Sequence, residues 1–173
     1  MDKGIICIQN FGTSGSLFLQ TLLDGHPELF VMPALYTREI FQFWKKIDKS
    51  YSNEKITEEF VADPCQAYWF DASEKYKVVK DHNLDRMGDN ADENLVIDIK
   101  KFSENMINQL CREKISRKRF FLSVHEAFAI TANLEFSKKK YIVFPFHTNP
   151  IKTAEFLIDD FQDVKFITTI REP

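Results

Sequence analysis

Residues 11–27 read FGTSGSLFLQTLLDGHP: a run of small residues, then a leucine-rich stretch that Gly25 and Pro27 bring to a stop. Just before it, residues 4–9 (GIICIQ) are short, β-branched and nearly all apolar. That pattern suits a central parallel strand buried on both faces. Leu17, Phe18, Leu19, Leu22 and Leu23 predict a helix that is apolar nearly all round and therefore buried. Strand, small-residue loop and helix together make an anion site. The first N–H groups of the helix lack intrahelical partners, and its dipole places partial positive charge there. Gly12 and Gly15 let the backbone turn tightly. Ser14 and Ser16 add hydroxyls, and Thr13 and Leu17 complete the candidate cradle. Gly15 is followed by Ser16 and Leu17 rather than by lysine, so the loop is not a Walker A motif. ATP or GTP hydrolysis thereby loses its usual anchor, and a P-loop kinase relative is disfavoured on that ground.

Outward from this stretch, short apolar runs alternate with longer helical patterns. Residues 29–32, 140–146 and 164–170 read as further strands. Ile40, Phe43, Trp44 and Ile47 mark one face of an amphipathic helix, with Thr37 as its expected N-cap. Another helix is expected after Asn53, with Ile56, Phe60 and Val61 turned inward. Asp98 and Ser116 are expected to cap two more helices, and Asn149-Pro150 to open a last one. Residues 71–94 form the most polar stretch and read as a long surface excursion. This alternation predicts an α/β fold of three layers, α/β/α, around a central parallel sheet.

The chain has 173 residues, about one domain's worth. A single domain over residues 1–173 is expected. Its 17 phenylalanines imply a substantial aromatic core, and its net charge of −3 disfavours non-specific nucleic-acid binding. Cys7, Cys65 and Cys111 are scattered, odd in number and fit no metal spacing, so they read as reduced thiols. No segment approaches the roughly 18 apolar residues that a membrane-spanning helix needs. A cytoplasmic protein without a membrane span is the expectation.

The cradle resembles the phosphosulfate loop of the sulfotransferases that use 3′-phosphoadenosine 5′-phosphosulfate (PAPS). In that family a strand is followed by a basic residue, Ser-Gly and Ser or Thr, then by leucines on a helix and a His-Pro pair. Ser14-Gly15-Ser16, Leu19, Leu22, Leu23 and His26-Pro27 match. A second match lies at the other end of the chain. The family carries a strand that begins with lysine and ends in Arg-x-Pro, whose arginine binds the cofactor's 3′-phosphate. Residues 165–173, KFITTIREP, fit it and assign that role to Arg171, whose guanidinium fork suits phosphate oxygens. His147 follows the strand at 140–146 and stands where cytosolic members place a catalytic histidine. It is the candidate base that takes a proton from the acceptor hydroxyl or amine. His125 and Glu126 are weaker candidates.

The resemblance implies a nucleotide-hydrolase-like P-loop fold and in-line transfer of a sulfuryl group from PAPS to a small-molecule or carbohydrate acceptor. The product nucleotide would be 3′,5′-adenosine bisphosphate (PAP), and no metal would be required. Two departures stand out. Thr13 occupies the place of the family's basic residue, leaving Lys80 as a substitute cation. The family pattern also runs on past Arg-x-Pro, so the expected domain is C-terminally incomplete. A sulfotransferase-like binding or interaction protein with impaired catalysis is the alternative.

Overall fold

Residues 4–8 are apolar and partly β-branched in a run too short for a stable helix, and they form the middle of a parallel sheet. The computed structural model describes residues 3–10, 15–31, 37–64, 70, 96–147 and 150–170, with the backbone alone described at 10, 17, 37–39, 146–147 and 150–153. In chain order the elements are β1 (Gly4–Asn10), α1 (Ser16–Leu23), β2 (Leu29–Val31), α2 (Thr37–Lys46), α3 (Asn53–Ala62), α4 (Ile99–Leu110), α5 (Arg117–Thr131), β3 (Tyr141–His147), α6 (Pro150–Asp160) and β4 (Val164–Thr168). The protein is therefore α/β. Its four described strands run parallel in the order β2-β3-β1-β4.

The chain packs as two compact units. The first joins residues 1–41 to residues 135–173 and contains the sheet. Ile5, Cys7 and Ile8 are fully buried, as expected for a strand covered on both faces, and Phe30, Ile142, Val143, Phe144 and Leu157 extend this core. At the amino end of the sheet Gly4 is set by packing. A Cβ there would lie 2.5 Å from the Tyr141 ring, on which the Lys165 ammonium sits 4.7 Å from the centroid. Lys3 donates to the carbonyl of Phe136 at 2.7 Å and also reaches the Lys139 carbonyl. This ties the start of the chain to the short 3₁₀ turn Phe136–Lys138.

Helix α1 departs from expectation. Phe18 is 69% and Leu22 63% exposed, whereas Ser16 and Gln20 are buried. The helix lies along β1, β2 and β3 through the stripe that contains Ser16 and Gln20, and its i, i+4 apolar pair faces outward. Composition alone did not reveal that orientation. Strand β4 forms the edge of the described sheet, and with one neighbour strand it leaves Phe166 and Ile167 partly exposed.

The second unit spans residues 42–134 and is helical among its described residues. Phe43, Phe60, Phe70, Phe102 and Phe120 form a chain of ring contacts, with centroids from 4.9 Å (Phe70–Phe102) to 6.4 Å (Phe60–Phe102). Its helices α3, α4 and α5 start on side-chain caps: Ser52 accepts from Lys55 N–H, Asp98 from Lys101 N–H and Ser116 from Arg119 N–H. Each satisfies one orphan donor, worth about 1 kcal/mol. Asp98 and Ser116 take the capping roles that the sequence assigns to them.

Candidate site at the carboxyl ends of β1, β3 and β4

In open parallel sheets, ligands bind beyond the carboxyl ends of the strands, where connections leave in opposite directions. Here that place is the end of β1. The chain leaves β1 for β2 on one side, and β4 pairs with β1 on the other. β1 ends at Asn10 and α1 begins at Ser16. Gly15, the N-cap, has φ +80°, a left-handed conformation that favours glycine. A Cβ at Gly15 would meet nothing within 4 Å, so backbone conformation, not space, selects glycine here. Among the described residues no side chain caps α1, and its first turn holds no acidic residue. Its leading N–H groups have no intrahelical partner, and the helix dipole gives that end partial positive charge. Ser16 is 2% exposed at the helix start, and none of the hydrogen bonds among the described residues uses its hydroxyl.

Of the other residues predicted for the cradle, Gly12, Thr13 and Ser14 lie outside the described residues, and Leu17 is described only as part of the α1 backbone. His147 is the last residue of β3 and pairs in register with Asn10, the last residue of β1. Its backbone therefore stands at the carboxyl edge of the sheet, beside the strand that enters the loop. Arg171 and Lys80 lie outside the described residues. The strand that leads to Arg171, β4, pairs with β1 from Ile5↔Val164 to Gln9↔Thr168. The two ends of the chain that carry the sequence matches thus occupy neighbouring strands.

Protein-family models, curated proteins and solved structures give no match to this chain.

His125 and Glu126 belong to the helical unit and not to this edge. The His125 ring is fully enclosed and packs tilted against Phe121 with centroids 4.2 Å apart, and its Nδ1 lies 2.8 Å from the Phe121 carbonyl. Burial pushes its pKa down to about 4, outweighing the opposing effect of that hydrogen bond. It is a neutral packing residue. Glu126 pairs with Arg112 at 3.3 Å. Cys7 is buried in β1, where burial raises its thiol pKa far above the usual range, so it is no nucleophile. Among the described residues no group of His, Cys, Asp or Glu is arranged to hold a metal ion, and no helix is long and apolar enough to cross a membrane.

Sequence reading passed over Gln9, Thr168 and Thr169. Thr168 Oγ1 donates to Gln9 Oε1 at 2.9 Å across the β1–β4 pair. Thr169 keeps a buried hydroxyl with no hydrogen-bond partner among the described residues. The available signal was local: β1 turns polar at Gln9 and β4, after Phe166 and Ile167, at Thr168, and these two positions pair in register. Only the pairing of residues far apart in sequence shows that coincidence.

Proposed function

We propose that this chain is a PAPS-type sulfotransferase domain that binds the nucleotide at the carboxyl end of β1. One observation carries the reading: β4, which leads to Arg171, lies directly beside β1, which leads into the loop around Gly15. A ligand with a phosphosulfate at one end and a 3′-phosphate at the other needs two anion sites, which neighbouring strands can supply. The topology supports the three-layer, P-loop-like arrangement as well. The connection through α1 carries the chain from β1 across β3 to β2, and that through α6 carries it from β3 across β1 to β4. Parallel crossovers are right-handed, and these two run in opposite directions, which assigns α1 and α6 to opposite faces.

In this reading the α1 amino end, Gly15 and Ser16 hold the 5′-phosphosulfate together with Gly12, Thr13, Ser14 and Leu17, and Arg171 holds the 3′-phosphate. Bound PAPS supplies the sulfuryl group. The acceptor is a small molecule or carbohydrate whose hydroxyl or amine forms the new bond to sulfur while the bond to the phosphate oxygen breaks. His147 takes the acceptor's proton. The unpaired thiol of Cys7 within the core fits a reducing, cytoplasmic setting.

Thr13 favours a second reading, a nucleotide-binding relative with impaired catalysis. Removing one contact that stabilises developing charge costs roughly 10²–10³ in rate, and threonine brings no charge. Calorimetry with PAP, ADP and ATP tests both readings. Preference for PAP is expected. No binding of PAP, or equal binding of ADP, overturns the cofactor assignment. If PAP binds, measurable sulfation gained by Thr13→Lys over a silent parent supports the impaired relative.

A further inference from the structure

We infer that α4 and α5 enclose a binding site for a single ordered water molecule, held between the side chains of Gln109 and Ser123. The inference concerns the helical unit and is independent of the nucleotide site. Gln109 is 2% exposed, and its Oε1 has no hydrogen-bond partner among the described residues. Ser123 is fully buried, and its hydroxyl has none either. A buried polar group without a partner costs stability. Two of them on facing helices call for a shared partner.

Both side chains belong to the seam between the helices. Arg119 of α5 donates through Nε to the Gln109 carbonyl at 3.0 Å, and Asn105 Nδ2 of α4 donates to Thr131 Oγ1 of α5 at 3.0 Å. Arg119 and Thr131 therefore mark the side of α5 that meets α4. Around the helix Ser123 falls between them, about 40° from Arg119 and about 80° from Thr131. Along the helix it also lies between them, opposite the stretch 105–109 of α4. In that stretch Asn105 is engaged with Thr131, Asn108 is exposed, and the buried side chains are Met106 and Gln109. Gln109 is the polar group left to face Ser123. The chemistry selects the ligand. A carboxamide oxygen only accepts, whereas a serine hydroxyl donates or accepts. Water can donate to the first and bond the second in either sense, and a buried water needs two to four such partners. An anion would be repelled by the Gln109 oxygen. A cation would sit beside the Arg119 guanidinium, which is itself bonded to Gln109.

The test joins a crystal structure of the full chain to thermal melts of three variants. A water within hydrogen-bond distance of both Gln109 Oε1 and Ser123 Oγ is expected. Ser123→Ala and Gln109→Met each remove one of its partners and should lower the melting temperature by about 2–4 °C. The double variant should lose less than the two losses combined, because the second change acts on a water already half released. A seam without water, or a Ser123 hydroxyl bonded directly to Gln109 Oε1, overturns the inference. An unchanged or higher melting temperature in either single variant does the same, since that marks a polar group with no partner to lose. Fully additive losses would assign the two side chains to separate partners and rule out the shared water.

Discussion

Gly15 holds a left-handed backbone with open space where a side chain would sit, so substitution there isolates conformational strain from packing. Gly15→Ala should cost about 1 kcal/mol of stability and weaken PAP binding, because the alanine drives the loop away from φ > 0. Gly15→Asn should be milder, since asparagine visits that region more readily. Melting curves and PAP titrations of the two variants check the order. His125 supports a prediction about pH. Its folded pKa, about 4, lies below the value of 6.5 for the free side chain. The unfolded chain therefore binds the extra proton first. Its contribution is fully present above pH 6.5 and is lost as pH falls toward 4. Denaturant titrations of the parent should lose stability through this window, and His125→Leu should lose markedly less. Equal slopes for the two proteins would show that His125 is not the group responsible. At this scale the sequence revealed Gly15, because a glycine before a helix start has few other meanings. It did not reveal Gln9 or the true role of His125. A hydrogen bond between residues distant in sequence, and burial within a helix, both depend on neighbours that only folding supplies.

Element by element, most of the fold was legible in the sequence. The strand at β1, the caps at Asp98 and Ser116 and the proline that opens α6 were marked by local chemistry: β-branched runs, side chains that compete for backbone N–H groups, and a fixed φ. Which side of α1 meets the sheet was not legible, because nearly every side of it is apolar and periodicity then carries no direction. The exposure difference between Phe18 and Phe120 converts this into a measurement. Phe18 is 69% exposed and Phe120 fully buried against Phe43, Trp44 and Phe60. Phe18→Ser should change stability by no more than about 0.5 kcal/mol. Phe120→Ala should cost about 3–5 kcal/mol, from lost transfer energy plus the cavity left behind. A large loss at Phe18 would mean that the outer face of α1 is covered in solution.

For the molecule as a whole, residues 42–134 form a continuous stretch with their own aromatic core, while the sheet unit is assembled from both ends of the chain. The succession of apolar patterns does not display this division, because a helix's apolar stripe predicts that it will be covered without naming the element that covers it. The physical ingredients of autonomy are nonetheless present in the helical unit. Its contacts join helices near in sequence, α3 with α4 and α4 with α5, which favours rapid and local folding. Three side-chain caps stabilise its helix starts, and Phe60, Phe102 and Phe120 are fully buried within it. Residues 42–134 expressed alone should therefore give a helical circular-dichroism spectrum and a cooperative thermal transition. Phe102→Ala should lower or abolish that transition, since a buried phenylalanine lost from so small a core removes about 3–5 kcal/mol, comparable to the whole stability of a marginal domain. The sheet unit carries the loop, His147 and Arg171, so the isolated helical segment should bind no PAP. PAP binding by residues 42–134 would move the nucleotide site away from β1, and a gradual, non-cooperative melt would show that this unit depends on the rest of the chain.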